Sequence, residues 1–158
     1  MTLLSNSPDP AALAIYQRHL DRLTQALLAG RFEDFVENLM FPHEVVTTSN
    51  RFIAETAEDC RQMFNEYRTC LLAEGITDLI RIARDARFVS DDEITGTHIS
   101  HRMRGANRVM EPYQNHLRLV RSADTTWREA SSFNIVANKA GAFGIIVNTA
   151  NEHPAPDL

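Results

Sequence analysis

The chain has 158 residues, 44% hydrophobic and 23% charged, with a formal net charge of −5. These are the proportions of an ordinary globular protein, long enough for one domain with a sizeable core. No apolar run approaches the ~20 residues that a membrane-crossing helix needs, so no membrane partner is expected. Met1–Asn6 lacks the basic start and long apolar run of a signal peptide, which makes a cytoplasmic location the expectation.

The charge is uneven. Residues 1–75 carry 6 basic and 11 acidic side chains, whereas residues 76–137 carry 9 and 8. An acidic first half beside a near-neutral second half is a poor nucleic-acid footprint, so no nucleic-acid partner is expected. Cys60 and Cys70 fall in one predicted helix, ~15 Å apart along its axis. A disulfide needs Cα atoms within ~7 Å, so these two cannot pair with each other. They read as small core residues in a reducing compartment.

Residues 1–9 read as a loose arm. Asp9-Pro10 then starts a helix, because Asp caps free amides and Pro fits the first helical position. The helix runs to about Ala29, with Gly30 as its stop. Its apolar stripe is Leu13, Tyr16, Leu20, Leu23 and Leu27, with His19 at the edge. Tyr16 should be buried, with a partner for its hydroxyl. A shorter helix is expected from Phe32 to about Leu39, closed by Pro42. Two extended pieces, Glu44–Thr48 and Arg51–Glu55, make a small hairpin. Thr56 is the expected cap of a third helix running to about Glu74, with Gly75 after it.

The second half is a meander of long segments: Asp78–Val89, Glu93–Arg104, Tyr113–Arg121 and Thr126–Val136. Polar turns separate them. In the second segment, Ile94, Gly96, His98, Ser100 and Arg102 share one face and His101 lies on the other. Asn115 and Leu117 lie opposite His116 and Arg118. Trp127, Glu129, Ser131 and Phe133 lie opposite Arg128, Ala130, Ser132 and Asn134. Both faces are mixed, so both are expected to be covered, one by helices and the other by a second copy of the sheet. The tail from Gly141 to Val147 is a further strand or an arm, and the residues after it should fray.

The order helix, helix, short hairpin, helix, long meander resembles the nuclear transport factor 2-like superfamily, in its SnoaL-like and ketosteroid-isomerase-like branch. The resemblance covers roughly Pro10 to Ala137. Phe32-Glu33-Asp34-Phe35 after Gly30 looks like that family's second helix. The run Leu119 to Arg128 looks like its penultimate hairpin, with Trp127 opening the last strand, but the usual turn Gly is missing. The resemblance implies an α+β fold: a cone-shaped barrel in which a curved, mostly antiparallel sheet wraps around three N-terminal helices. It sets the domain at 10–140, followed by a C-terminal extension over 141–158. It also implies a homodimer through the outer sheet face.

Enzymes of that family often place an acid or base just after the second helix. Here that position is occupied by His43, a residue able to move protons near neutral pH. Tyr16 matches the region of the first helix where such enzymes project a hydroxyl into the pocket. Either His98 or His101 faces the cavity, but not both, because they differ by an odd number of positions. His101 and His116 become cross-strand neighbours if the turn at 105–112 sets that register. The catalytic candidates are therefore His43, Tyr16 and His98. The ligand-contacting candidates are His101, Asn115, His116, Trp127 and Phe133. Arg102, Arg118 and Arg128 bind a substrate carboxylate or form cross-strand ion pairs with Glu111 and Glu129, the ion pairs being favoured.

No compact His pair marks a metal site. No Gly-rich phosphate loop and no nucleophile elbow are present. Neither a metal nor a cofactor is expected. The leading expectation is a pocket for a small, apolar organic molecule, with cofactor-free isomerisation, dehydration or cyclisation as the chemistry. The alternatives are a non-catalytic dimeric ligand-binding or assembly module, and an accessory subunit like the small subunit of ring-hydroxylating oxygenases.

Overall fold

The computed structural model describes residues 7–48, 50–134 and 153–154. Most of the expected extension over 141–158 lies outside the described residues, as does the arm before residue 7.

Helix α1 spans Pro10–Ala29. The Asp9 carboxylate accepts from the amides of Ala11 and Ala12, and Gly30 closes the helix at φ 74°. That left-handed conformation costs glycine little. Helix α2 is shorter than expected, Phe32–Glu37. Strand β1, Leu39–Thr47, starts well before the expected Glu44. Pro42 sits inside it, where pairing with the neighbouring strand is interrupted between Leu39 and Glu44. A residue without an N–H fits such a break. Strand β2 spans Asn50–Ala54. Thr56 and Asp59 bond each other as a capping pair does, but helix α3 starts three residues beyond Thr56, at Asp59–Ala73.

Five strands follow: β3 (Asp78–Ser90), β4 (Glu93–Arg104), the two-residue β5 (Asn107–Arg108), β6 (Tyr113–Arg121) and β7 (Trp127–Asn134). A two-residue β8, His153–Pro154, pairs with β2. The strand order is β3-β4-β6-β7-β1-β2-β8, with β5 beside β4. Only β1 and β7 run parallel among these pairs. The architecture is α+β, a curved, open, mostly antiparallel sheet with the helices against one face.

Two apolar clusters hold the helices to the sheet. Ala12, Tyr16 and Leu20 of α1 pack on Ala86, Ile94, Leu117 and Leu119. Further along α1, Leu23 and Leu27 join Phe35 of α2, Met63, Phe64 and Leu71 of α3, and Val45, Phe52 and Tyr113 of the sheet. Each large side chain buried this way is worth ~1.5–3 kcal/mol.

The sheet's helix-facing surface is unusually polar. His98, Ser100, Arg102, Asn115, Glu129 and Asn134 are all buried there. Buried polar groups demand partners, and such a cluster marks the place where a fold departs from simple packing.

Candidate active site

A cavity of about 80 Å³ opens between the two apolar clusters. His43, Arg81, His98, Asn115, Glu129 and Asn134 supply polar groups to its wall. Leu27, Phe35, Met63 and Leu117 supply apolar ones.

The strand registers bring these residues together. His98 of β4 lies opposite Asn115 of β6, and Asn115 lies opposite Asn134 of β7. Ser100 donates to the Asn115 carbonyl at 2.6 Å. The Asn115 amide donates to Asn134. A polar chain therefore crosses three strands, and its members fix one another's orientation.

β7 departs from strict alternation. Leu119 pairs with Glu129 and Arg118 with Ser131, which leaves Ala130 as a bulge. A bulge shifts the side-chain parity by one. Glu129 before it and Ser132 and Asn134 after it all reach the cavity. The expected grouping of Glu129, Ser131 and Phe133 on one face is corrected by this extra residue. Phe133 is paired with the exposed His116 and turns outward with it.

Glu129 is the electrostatic centre. Its Oε1 lies 3.1 Å from Nε2 of His19, and its Oε2 lies 3.2 Å from Nε2 of His43. All three side chains are 5% exposed or less. Burial alone would push the Glu129 carboxyl up. The hydrogen bonds and charges of His19 and His43 outweigh it and hold the carboxyl well below the usual range. Nδ1 of His43 donates to the Glu129 backbone carbonyl at 3.1 Å. A carbonyl can only accept, so Nδ1 carries hydrogen, and Nε2 is the ring nitrogen that faces the Glu129 carboxylate.

His98 is a separate unit. Its Nδ1 lies 2.7 Å from the Tyr16 hydroxyl. A hydroxyl that keeps its hydrogen can donate it to Nδ1, and that arrangement puts the single hydrogen of a neutral His98 on Nε2. Burial, with the nearby Arg81 charge, pushes His98 down to about 3. Burial, with the Glu129 charge, pushes the Tyr16 hydroxyl up. Both groups are neutral across the physiological range. Gly96 makes the contact possible: a Cβ there would lie 2.6 Å from the Tyr16 ring and 2.5 Å from the Asp85 carbonyl oxygen.

Of the residues expected from the sequence, His43, His98 and Asn115 line the cavity. Tyr16 stands behind His98. His101 faces outward, opposite Ile80, and His116 lies opposite Thr97, so the two are not cross-strand partners. Trp127 packs near Phe88 and Arg121, away from the cavity. Arg102, Arg118 and Arg128 form ion pairs, but with Glu74, Glu93 and Asp124 rather than Glu111 and Glu129.

His19, Arg81 and the central place of Glu129 were not anticipated. His19 lies three positions from Tyr16 and four from Leu23, so helical spacing puts it on the stripe. Among the described residues, no group of three or more His, Cys, Asp or Glu is arranged to hold a metal ion. The two imidazoles address separate oxygens of one carboxylate. Cys60 and Cys70 are free thiols. No helix among the described residues is long and apolar enough to cross a membrane.

No protein-family model matches the chain, and no curated protein matches it. Solved structures do. A protein of unknown function from Mycobacterium tuberculosis is similar with a TM-score of 0.62 and 15% identity, over 91% of this chain and 92% of that one. An NTF-2-like protein of unknown function from Shewanella oneidensis has a TM-score of 0.60 and 9% identity, over 78% and 98%. A ketosteroid isomerase-like protein from Erwinia carotovora atroseptica has a TM-score of 0.57 and 15% identity, over 82% and 100%. At such identities the likeness speaks to architecture alone. The curved sheet, the three helices laid against it and these neighbours establish that the chain has the nuclear transport factor 2-like fold, also described as cystatin-like.

Proposed function

We propose that the cavity binds a small organic molecule and moves a proton on it without a cofactor. The observation that carries this reading is the neutral His98, held by Tyr16 with its Nε2–H left for a ligand oxygen. A preorganised donor in a dry site stabilises charge that develops on such an oxygen. The His43–Glu129 pair lies on the same cavity wall and supplies the acid–base partner. The ketosteroid isomerase-like neighbour supports the reading by analogy of fold only.

The test is deuterium incorporation from solvent into a small ketone such as cyclopentanone, followed by NMR. Wild type should exchange the α-protons faster than buffer. His98→Phe and Glu129→Gln should each slow the exchange by about 10²-fold, the usual effect of losing one such group. Folded variants that exchange at the wild-type rate would show the assignment to be wrong.

A second reading rests on a specific observation. Both ring nitrogens of His43 are engaged by Glu129, and the cavity is only about 80 Å³. That arrangement also suits a non-catalytic ligand-binding module. Ligand binding with no exchange above buffer would select it. In either case we propose a cytoplasmic homodimer through the outer sheet face, where Ile80 and Ile82 of β3 are 40% and 41% exposed.

A further inference from the structure

We infer that the ligand is a carboxylate, anchored by Arg81. The inference rests on the cavity being the ligand site and adds the class of molecule it takes. Arg81 lies on the inner face of β3, directly opposite Ser100, and its side chain lines the cavity beside His98 and Asn115. The buried Arg102 of β4 is committed elsewhere. Arg102 is bonded to Glu74 and Tyr113. Arg81 has no carboxylate partner among the described residues. A guanidinium turned toward a cavity wall without an acid to neutralise it is a ready anion site.

Its backbone is held in place. The Gln17 side chain donates to the Arg81 carbonyl at 2.9 Å and accepts from the Ala83 amide at 2.8 Å. It thus clamps β3 just before the irregularity between Ala83 and Asp85. The same α1 segment carries Tyr16, so one turn of helix sets both the His98 donor and the Arg81 strand.

The chemistry selects a planar monoanion. A carboxylate matches the guanidinium fork with two parallel bonds. The Glu129 carboxylate, on the same cavity wall, disfavours a dianion such as a phosphate monoester. With its carboxylate on Arg81, the molecule places its next polar atoms near His98 and Asn115.

The experiment is equilibrium binding by calorimetry on the full chain, with phenylacetate, phenylacetamide and benzylphosphonate as probes. Wild type should bind phenylacetate at least about ten-fold more tightly than the amide, the margin expected of a charge-assisted pair. Arg81→Gln should abolish that preference, and Arg81→Lys should keep part of it. Circular dichroism shows whether the variants remain folded. Equal affinity for acid and amide in wild type, no detectable acid binding, tighter binding of the phosphonate, or an unchanged preference in folded Arg81→Gln would each overturn the inference. The readout is binding, not turnover. An acid preference without proton exchange keeps the anchor and removes the catalytic reading, whereas exchange without the preference removes the anchor alone.

Discussion

The Tyr16 hydroxyl lies 2.7 Å from Nδ1 of His98, across 82 positions of sequence, with both side chains almost wholly buried. Removing the hydroxyl tests this contact with little change in shape. Tyr16→Phe should cost ~1–3 kcal/mol, the penalty for stranding a buried acceptor. It should also release the tautomer of His98. Chemical denaturation checks the first effect. Nitrogen NMR of the imidazole checks the second, with a mixture of tautomers expected in place of Nε2–H alone.

Acid should unfold the protein in two overlapping stages. His98 titrates near 6.5 in the unfolded chain and near 3 when folded. Between those values the unfolded chain binds a proton that the folded protein does not. Stability therefore falls as the pH falls through that window, by up to ~1.4 kcal/mol per pH unit. Glu129 is held below its ordinary 4.5, so its stabilisation is complete above that value and is lost as the pH falls below it. Urea unfolding at a series of pH values should show both. His98→Asn should flatten the upper stage and leave the lower one. Glu129→Gln should cost ~3–5 kcal/mol at neutral pH, as the breaking of a buried charged cluster does.

Gly96→Ala should destabilise by ~1–3 kcal/mol, because the added methyl overlaps the Tyr16 ring and a backbone oxygen that cannot swing away. The accompanying sign should be a shifted His98 imidazole resonance, since the displaced ring carries the hydroxyl with it. Thermal unfolding and NMR of one sample decide both points.

Thr125 sits at φ 65° in the turn before β7. A β-branched residue is strained there by ~1–2 kcal/mol. Thr125→Gly should raise stability by ~0.5–1 kcal/mol, the relief less the entropy that glycine gains on unfolding. A lower midpoint in urea would show the turn to be unstrained.

The exposed Ile80 and Ile82 bear on assembly. With the proposed dimer, wild type should sediment as two chains and Ile82→Lys as one. A monomeric wild type at micromolar concentration would remove that proposal.

Much of the architecture was written locally. Asp9, Gly30 and the polar breaks between strands act over a few positions, because caps and turns are settled by nearby backbone chemistry. Side-chain parity along β4 and β6 was equally legible: it put His98 and His101 on opposite faces, and Asn115 with Leu117. Only the tertiary structure settled which face was inside. It alone inserted Ala130 as a bulge and so carried Glu129, Ser132 and Asn134 to one cavity. It alone joined His19 and His43 to Glu129, across 110 and 86 positions. Periodicity counts residues along one strand. Register across strands, and the meeting of helix and sheet, depend on packing between segments that no local pattern encodes.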